Sequence, residues 1–397
     1  METYVEKSPL NTVIVRLSGE IPIKSEPVRS HWEKILYKRV KSRVFDLGNV
    51  IRERGRIYVY TDQPYEVIKR LQTLFGVSSF SPAAKCDAEL EQIKIMAVKV
   101  AQYYIRKLME KGINARTFAI VSKKVLTDKF GTTEIRYDVG AFVKNELGLE
   151  VNLDYPDIPI NIEVRRGEAY IYVETLKGAG GLPIGVQDRI LVLLKGDKDS
   201  VTSMWLMLKR GCPVTAVHYA LCPDAPYLVE LKDIVNNILR EWGEGYGRFY
   251  IIPLYDLVNT VCEKVPTEAQ WLVLRKLMII IANVLAEREN AKGIALGDRE
   301  LLDTNLFVKV KTMWQRDLVI HFPVLNMSDR EVNEIMFTIE CRIQKRIRLE
   351  TDCDIIKKMK REAKTINPNL IEKYVVDLRI DKKYIENLLN ETKSVET

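Results

Sequence analysis

The feature that most constrains the fold is an alternation of short apolar segments with helical segments after residue 187. The apolar segments read RILVLL, PVTAVHYAL, RFYIIPL, KGIALGD and LVIHFPV, and the helical segments between them cover 199–210, 228–241, 267–288 and 300–313. Apolar strands joined by helical crossovers are typical of a doubly wound parallel sheet, because both faces of such a sheet are covered. Ligands of these sheets bind at the carboxyl ends of the strands.

The N-terminal half has the pattern of an α+β fold. Residues 12–23 alternate like a strand, and a basic helix, a strand over 56–61 and an amphipathic helix over 64–76 follow. This β-α-β-α order predicts a small domain on an antiparallel sheet. A second α+β unit follows, with segments at 88–112 (helix), 115–124 (strand), 133–148 (helix) and 158–176 (two strands). The glycine-rich stretch KGAGG, residues 177–181, predicts a flexible linker.

Composition excludes several classes of protein. The 397-residue sequence contains no run of the ~18 consecutive apolar residues that a membrane span needs. The N-terminus lacks a basic-then-apolar signal pattern, so we expect a cytoplasmic protein with no membrane partner. The six cysteines form no CxxC pair and the three histidines are dispersed, so we expect neither a disulfide framework nor a metal site.

A basic cluster lies near the N-terminus, where residues 29–56 hold nine Lys or Arg against three Asp or Glu. Within it, Trp32, Ile35, Leu36 and Val40 have helical spacing, and the lysines fall on another side. Such a helix packs on one face and presents cations on the other. It is either an ordinary solvated face or a phosphate-binding surface.

The loop between the strand 189–194 and the helix 199–210 reads KGDKDS. A loop in this position can hold a phosphate at the start of the helix, which requires backbone N–H groups to approach the anion closely. Glycine permits that approach and acidic side chains oppose it. The loop has one glycine and two aspartates, so its competence to bind a nucleotide is in question.

Longer stretches resemble one family. GLPIGVQDRILVLLKGDKDSVTSMWLMLKRGCPVTAVH resembles the PP-loop pyrophosphatase domain of the tRNA 4-thiouridine synthetases. VRLSGEIPIKS and GVSSFSPA resemble their ferredoxin-like domain, and TFAIVSKK, TTEIRYDVGAFV and INIEVRRGEAYIYVE their THUMP domain. The resemblance implies a ferredoxin-like domain (1–76), a THUMP RNA-binding domain (77–176), a linker (177–186), a PP-loop ATPase-like domain (187–370) and a C-terminal extension (371–397).

The chain departs from the family at its PP-loop. Against the family pattern S-G-G-x-D-S it keeps Gly196, Asp199 and Ser200, but has Lys195 for the first serine and Asp197 for the second glycine. Lys198 occupies the variable position. The Asp197 carboxylate should crowd and repel a pyrophosphate, and the two lysines offset the charge but not the side chain.

Two further motifs depart as well. The family's T-G-E-S-x-G-Q stretch is LGDRELLDTN here, which keeps only Gly297 and an acidic Asp298. Trp271 and Leu274 stand where archaeal members usually carry a cysteine pair. Cys353 is the one match to a family cysteine, a candidate for carrying sulfur or an inert buried thiol. Without the pair, we expect neither a catalytic disulfide nor an iron–sulfur cluster.

These departures predict a degenerate family member that binds tRNA with an inactive PP-loop, and therefore no bound cofactor. The alternative is a working tRNA sulfurtransferase that uses ATP and Mg²⁺ to adenylate uridine and inserts sulfur to make 4-thiouridine. A third is a scaffold that has lost RNA binding. Whether the protein is an enzyme stays open, with the loss of three motifs weighing against it.

The resemblance also implies partners. THUMP and ferredoxin-like domains of the family recognise the acceptor end of tRNA by shape and backbone, and phosphates are met by Lys and Arg. The resemblance implies a homodimer too, and a hetero-oligomer with an active relative is the alternative. The candidate RNA-binding residues are Lys34, Lys38, Arg39, Lys41 and Arg43 on the basic helix and Lys123, Lys124, Arg136, Arg165 and Arg166 in the THUMP unit.

Overall fold

A computed structural model describes residues 8–126, 130–222, 226–299, 318–345, 347, 353–363, 368–392 and 394–395. The internal contacts divide the chain into two units, Met1–Leu182 and Pro183–Thr397. The boundary falls inside the segment predicted as a linker.

The first half of the N-terminal unit is built on an antiparallel sheet, as predicted. Its elements are β1 (Thr12–Leu17), α1 (Glu26–Arg43), β2 (Asn49–Glu53), β3 (Arg56–Tyr60), α2 (Pro64–Leu71) and β4 (Val77–Asp87). β1 pairs antiparallel with β3 and β4, and β2 pairs with β3. The sequence prediction missed β2, because only Val50 of this strand is buried and its apolar alternation is weak.

The second half of the unit continues the same sheet. It contains α3 (Leu90–Met109), β5 (Thr117–Leu126), α4 (Thr132–Leu147), β6 (Glu150–Val151), β7 (Ile158–Arg165) and β8 (Glu168–Tyr172). The first part of β4 pairs with β1, and its last residues, Ala84–Asp87, pair with β8. One long strand therefore belongs to both halves, and the sheet has nine strands among the described residues. Helices α3 and α4 bury Ile93, Val100 and Val139 in the core of the second half.

The glycine-rich segment predicted as a linker is mostly a strand. β9 (Leu176–Gly180) pairs antiparallel with the start of β4, and the Gly76 N–H donates to the Gly180 carbonyl. A Cβ atom at Gly178 would lie 2.4 Å from the Val77 carbonyl oxygen. Glycine is required there for close backbone approach, so its presence did not indicate flexibility.

The C-terminal unit has the predicted doubly wound sheet. Its elements to residue 321 are β10 (Ile190–Leu194), α5 (Lys198–Lys209), β11 (Val214–Ala220), α6 (Tyr227–Gly243), β12 (Arg248–Pro253), α7 (Tyr255–Lys264), α8 (Thr267–Arg288), β13 (Gly293–Leu296) and β14 (Val319–His321). The strand order β14-β13-β10-β11-β12 is parallel throughout. The chain places β11 and β12 on one side of β10 and then β13 and β14 on the other. The strand order therefore reverses beside β10, and the loop after β10 lies where such sheets bind ligands. The helix predicted over 300–313 lies outside the described residues.

The C-terminal helices belong to this unit. They are α9 (Asp329–Ile343), α10 (Asp354–Glu362), α11 (Pro368–Asp377) and α12 (Lys382–Glu391), and β15 (Ser394–Val395) pairs antiparallel with β12. Ile371, Ile385 and Leu389 are buried in the same core as Leu277 of α8. The segment predicted as an extension from residue 371 therefore completes this core. Helix α8 is long and apolar enough to cross a membrane by composition alone, but most of it is packed inside the unit.

Candidate functional site

The loop after β10 is held by hydrogen bonds within itself. Gly196 has a φ of +86°, which allows the chain to turn sharply after the strand. Asp197 is the N-cap of α5, and one of its carboxylate oxygens accepts the Ser200 N–H at 2.9 Å. The Ser200 hydroxyl accepts the Lys195 N–H and donates to the Asp197 carbonyl, each at 3.1 Å. The first turn of the helix is thus capped by the chain's own side chains.

Four charged groups surround this turn. Lys195 Nζ lies 3.2 Å from an Asp197 carboxylate oxygen and 3.1 Å from one of Asp298, and Arg275 lies 3.3 Å from the other Asp298 oxygen. Burial disfavours the charge of Lys195, but Asp298 and Asp197 outweigh it and raise the Lys195 pKa. Burial likewise opposes the charge of Asp298, but Arg275 and Lys195 lower its pKa. The two cations, Lys195 and Arg275, are therefore both engaged by carboxylates.

A second set of ion pairs connects the start of α5 to α9. Arg299 lies 2.9 Å from Asp199 and 2.9 Å from Asp329, and Lys198 lies 3.2 Å from Asp329. Arg299 and Asp329 were not predicted as site residues, because Arg299 does not match the family residue at its place in the T-G-E-S-x-G-Q stretch and Asp329 belongs to no recognised motif. Lys198 and Asp199 thus hold the start of α5 to Asp329 of α9 and to Arg299.

Gly297 is required by packing. A Cβ atom at this position would lie 2.4 Å from Ser200 Cα and 2.5 Å from Ser200 N. The end of β13 and the start of α5 are therefore in backbone contact, which places the neighbouring Asp298 beside the loop. The predicted residues 195–200, 297 and 298 are all brought together.

A cavity of about 610 Å³ opens at the carboxyl ends of β10, β11 and β13. Besides the loop and the strand ends, side chains of α8 and α10 line it, including Trp271, Arg275, Lys357 and Lys360. Lys360 Nζ lies 4.9 Å from the centre of the Trp271 ring. Sequence reasoning did not identify Lys357 or Lys360, which lie about 160 residues along the chain from the loop and are brought to it only by the fold.

His218 lies in the wall of the cavity. Its Nδ1 is 2.9 Å from the Leu194 carbonyl oxygen and its Nε2 is 3.1 Å from the Tyr227 hydroxyl. Burial lowers the pKa of His218 to about 4, so the ring is neutral near pH 7. Both ring nitrogens of His218 are thus paired within the fold, as in a packing residue. Among the described residues, no group of three or more His, Cys, Asp or Glu side chains is placed to hold a metal ion.

Cys353 is joined to Cys222 by a disulfide, which corrects the expectation that Cys353 has no partner. The two Cα atoms are 6.2 Å apart although 131 residues separate them in sequence. Cys222 follows β11, and Cys353 is the N-cap of α10. The expectation was wrong because it followed from the missing cysteines at positions 271 and 274, and Cys222 lies at neither position. The bond attaches the helix that carries Lys357 and Lys360 to the strand end beside the cavity.

The basic residues of α1 divide into two groups. Lys34, Lys38 and Lys41 are exposed, whereas Arg39 is half-buried. Arg43 donates to the Arg70 carbonyl at 3.1 Å and to the Thr73 hydroxyl at 2.8 Å. The three lysines form an accessible cationic surface, called here the lysine face, and Arg43 has a structural role.

The candidate residues of the second half differ in exposure. Arg136 on α4 is exposed, as is Arg166 in the turn between β7 and β8, whose nearest described carboxylate is Glu53 at 3.9 Å. Arg165 is buried, with 9% of its surface accessible, which is unsuited to a direct phosphate contact. The side chains of Lys123 and Lys124 lie outside the described atoms.

Three family models match this chain in order. They are the ThiI ferredoxin-like domain over residues 12–81, the THUMP domain over 87–174 and the thiamine biosynthesis protein (ThiI) over 185–365. Two similar relatives carry the name "Probable tRNA sulfurtransferase". The protein from Brevibacillus brevis is 33% identical over 323 residues, which cover 79% of this chain and 77% of the relative. The protein from Methanothermobacter thermautotrophicus is 34% identical over 332 residues, which cover 81% and 83%.

Solved structures agree with these matches. A 4-thiouridine synthetase in complex with RNA and ATP has a TM-score of 0.81 and 25% identity, and the match covers 97% of this chain and 99% of that one. The structure of PH1313 from Pyrococcus horikoshii has a TM-score of 0.63 and 26% identity, covering 83% and 99%. From its ferredoxin-like and THUMP domains to its parallel sheet, this chain belongs to the tRNA sulfurtransferase family, the tRNA 4-thiouridine synthetases.

Proposed function

We propose that this family member binds tRNA and that its loop at residues 195–200 does not bind ATP. The observation that carries the second part is the hydrogen bond from the Ser200 N–H to the Asp197 carboxylate. A phosphate binds a helix N-terminus through the N–H groups of the first turn. Here a carboxylate of the chain already occupies that position.

Electrostatics adds to this obstacle. At ~4 Å and an effective dielectric constant near 20, one carboxylate repels one phosphate charge by about 4 kcal/mol. Lys195 offsets part of this repulsion, but its ammonium group already contacts Asp197 and Asp298. ATP would have to displace the Asp197 cap and break these ion pairs.

Binding of tRNA is supported by the domains and by the lysine face. The chain has a THUMP domain, and the similar 4-thiouridine synthetase structure contains RNA. Exposed lysines on one helix suit the phosphates of a folded RNA, which is read mainly by shape. On this proposal the acceptor end of tRNA is the target, and the protein acts in or around tRNA modification in the cytoplasm. A complex with an active relative would present the RNA to that relative's catalytic loop, whereas a homodimer would bind the RNA without catalysis.

The Cys222–Cys353 pair favours a second function, that of a working tRNA sulfurtransferase. If an acceptor carbon were bonded to Cys353 through two sulfur atoms, the Cys222 thiolate could attack the sulfur of Cys353. The acceptor would leave with the outer sulfur, and the Cys222–Cys353 disulfide would form. This function needs ATP and Mg²⁺, and the loop could admit them only if Asp197 turned away from Ser200.

Two measurements on the full-length protein test these proposals. In the first, binding of tRNA and of Mg-ATP is measured separately. We expect tight, salt-dependent binding of tRNA and no measurable binding of ATP. Tight binding of Mg-ATP would contradict the inactive loop, and absence of tRNA binding would contradict the whole proposal. In the second, tRNA nucleosides from a strain lacking the gene are analysed by mass spectrometry. Loss of 4-thiouridine would show that the protein takes part in making it, either as the sulfurtransferase itself or as the partner of an active relative.

A further inference from the structure

Three arginine side chains lie on the sheet of the N-terminal unit. Arg16 of β1 and Arg56 of β3 are directly opposite each other in the strand register, so their side chains lie on the same face of the sheet. Arg165 is on β7, two residues after Glu163, and Val164 between them is buried in the core that α3 and α4 cover. Glu163 and Arg165 therefore share the face of β7 opposite to these helices.

The two sheet faces that carry these side chains pack against each other. Tyr58 of β3 stacks on Tyr170 of β8 with 4.6 Å between the ring centres. Arg16 lies 3.1 Å from one carboxylate oxygen of Glu163, and Arg56 lies 4.0 Å from the other. The three arginines and Glu163 are called here the arginine cluster. It joins β1 and β3 of the first half of the unit to β7 of the second half.

The arginine cluster holds more positive than negative charge. Guanidinium groups stay protonated in proteins, so three positive charges face the single carboxylate of Glu163. The neighbouring carboxylates, opposite Arg165 and Arg56 in the strand register, each contact a cation outside the cluster. These two pairs are Lys85–Glu168 and Arg166–Glu53. With both pairs included, five cations face three carboxylates.

Part of this charge is buried without a described partner. Arg165 has 9% of its surface accessible, and among the described residues its Nε atom has no hydrogen-bond partner. The same is true of Arg56 Nε and of one Glu163 oxygen. Burial lowers the pKa of Arg56, Glu163 raises it, and the charges of Arg16 and Arg165 lower it, so the guanidinium groups are close enough to repel. A buried charge is unfavourable unless it is paired, and water supplies an acceptor but no charge.

A hydrogen phosphate ion has both properties that the cluster requires. Its charged oxygens accept hydrogen bonds from guanidinium groups, whose planar fork matches the geometry of phosphate. Its O–H group can donate to the Glu163 oxygen that has no described donor. Sulfate, which is fully ionised near neutral pH, has no such O–H group, and neither do the phosphodiesters of an RNA backbone.

We propose that the arginine cluster binds one hydrogen phosphate ion, with its charged oxygens on the three arginines and its O–H donated to Glu163. Arg56 keeps 21% of its side chain accessible, so an ion from solution can reach the cluster. The burial of Arg165 that is unsuited to contact with an RNA backbone suits an ion of this size. The bound ion joins the two halves of the unit. The inference goes beyond the proposed function and depends on the binding of neither tRNA nor ATP.

The first test titrates the full-length protein with inorganic phosphate and with sulfate by calorimetry at constant ionic strength. We expect phosphate to bind at least tenfold more tightly, because only phosphate donates a hydrogen bond to Glu163. Glu163→Gln should bring the two affinities close together, since an amide both donates and accepts. Arg165→Met should weaken phosphate binding by about 10- to 150-fold, the loss of one hydrogen bond to a charged group. Arg166→Gln is the matched control: this neighbouring arginine is exposed in the turn, and phosphate affinity should be unchanged.

Three results would overturn the inference: no saturable phosphate binding, equal affinities of the native protein for phosphate and sulfate, or equal phosphate affinities of the native protein and Arg165→Met. Thermal unfolding of each variant controls for folding. If Arg165→Met does not fold, the comparison of the two ions on the native protein still decides the matter, because it needs no substitution.

The second test identifies the source of the phosphate. A tRNA has a phosphomonoester at its 5′ end, which carries the same O–H group when it holds one proton. Binding of tRNA with and without the 5′ phosphate is therefore measured for the native protein and for Arg165→Met. We expect the native protein to bind both tRNAs equally, which identifies a free ion. If removal of the 5′ phosphate weakens binding to the native protein but not to Arg165→Met, the RNA end is the occupant and the free ion is overturned. Failure to bind either tRNA contradicts the proposed function and leaves the phosphate inference standing.

Discussion

Asp197 accepts the backbone N–H of Ser200 at 2.9 Å, so a carboxylate caps the helix that follows the loop. An N-cap aspartate typically contributes about 0.5–2 kcal/mol to stability. In this position it also occupies the place in which a helix N-terminus binds a phosphate. One side chain thus stabilises the local fold and, on the proposed function, opposes the binding of ATP.

Restoring the family loop should restore affinity for ATP. We expect Lys195→Ser with Asp197→Gly to strengthen Mg-ATP binding by tenfold or more, because the change removes the carboxylate and frees the Ser200 N–H. Glycine at an N-cap costs only a few tenths of a kcal/mol, so the variant should fold. Calorimetry measures the affinity. Asp197→Asn is the matched control: it keeps the cap but removes the charge, and should recover only part of the gain. Weaker ATP binding after restoration would show that KGDKDS is itself a working loop.

Reversing the charge of the lysine face should weaken tRNA binding. Lys34→Glu with Lys38→Glu and Lys41→Glu should lower affinity and flatten the log–log salt dependence by roughly 0.7–0.9 for each RNA phosphate that the variant no longer neutralises. Filter binding over a series of salt concentrations measures both. Arg43→Gln is the comparison, since Arg43 bonds to Arg70 and Thr73 and should affect stability more than affinity. If the salt dependence of the triple variant is unchanged, tRNA binds to a surface other than the lysine face.

His218 should make stability depend on pH. Burial lowers its pKa from 6.5 to about 4, so the unfolded chain binds a proton more readily than the folded one. The contribution of the neutral His218 ring to the free energy of unfolding is fully present above pH 6.5, and it is lost as the pH falls from 6.5 towards 4. By linkage it amounts to about 3 kcal/mol. Denaturant unfolding between pH 4 and pH 7.5 should show a shallower pH dependence for His218→Gln than for the native protein. Parallel profiles would contradict the assigned pKa.

The Cys222–Cys353 disulfide should stabilise the C-terminal unit. A bond closing so long a loop typically contributes about 2–4 kcal/mol by restricting the unfolded chain. We expect Cys222→Ser to lower the melting temperature in the absence of reductant and to remove the effect of adding reductant. Cys262→Ser is the matched control, because Cys262 has a free thiol. A reductant effect of equal size in Cys222→Ser would mean that the bond does not stabilise the fold.

The N-terminal unit should need β9 to fold well. A fragment ending at residue 182 keeps the pairing of Leu176–Gly180 with β4, and one ending at residue 176 loses it. We expect the longer fragment to melt at a higher temperature and to retain more of the affinity for tRNA. Circular dichroism and filter binding measure the two properties. Equal stability of both fragments would show that β9 contributes little.

Much of the fold followed from periodicity, because apolar strands and amphipathic helices leave strong patterns in sequence. The exceptions have physical causes. Glycines 178, 180 and 181 indicated a linker, but glycine also permits the close backbone approach that β9 makes. Helix α7 was missed because it lies directly before the longer and more apolar α8.

The site was predictable where it is local. Residues 195–200 follow one strand and were identified from the loop, and Asp298 from its motif. Asp329 and Lys360 join the site only through folding, and no short motif marks them. Arg299 follows Asp298 directly, but it does not match the family residue at its place in the motif. Cys222 was overlooked as a partner of Cys353 for the same reason, since 131 residues separate the two.

The disulfide also makes a covalent ring of the chain between residues 222 and 353. A protease that cuts once within this ring leaves both fragments attached, and they separate only when the disulfide is reduced. The same single cut outside the ring releases a fragment at once. Electrophoresis of nicked protein, with and without a thiol, therefore reports whether the bond is present in protein taken directly from cells.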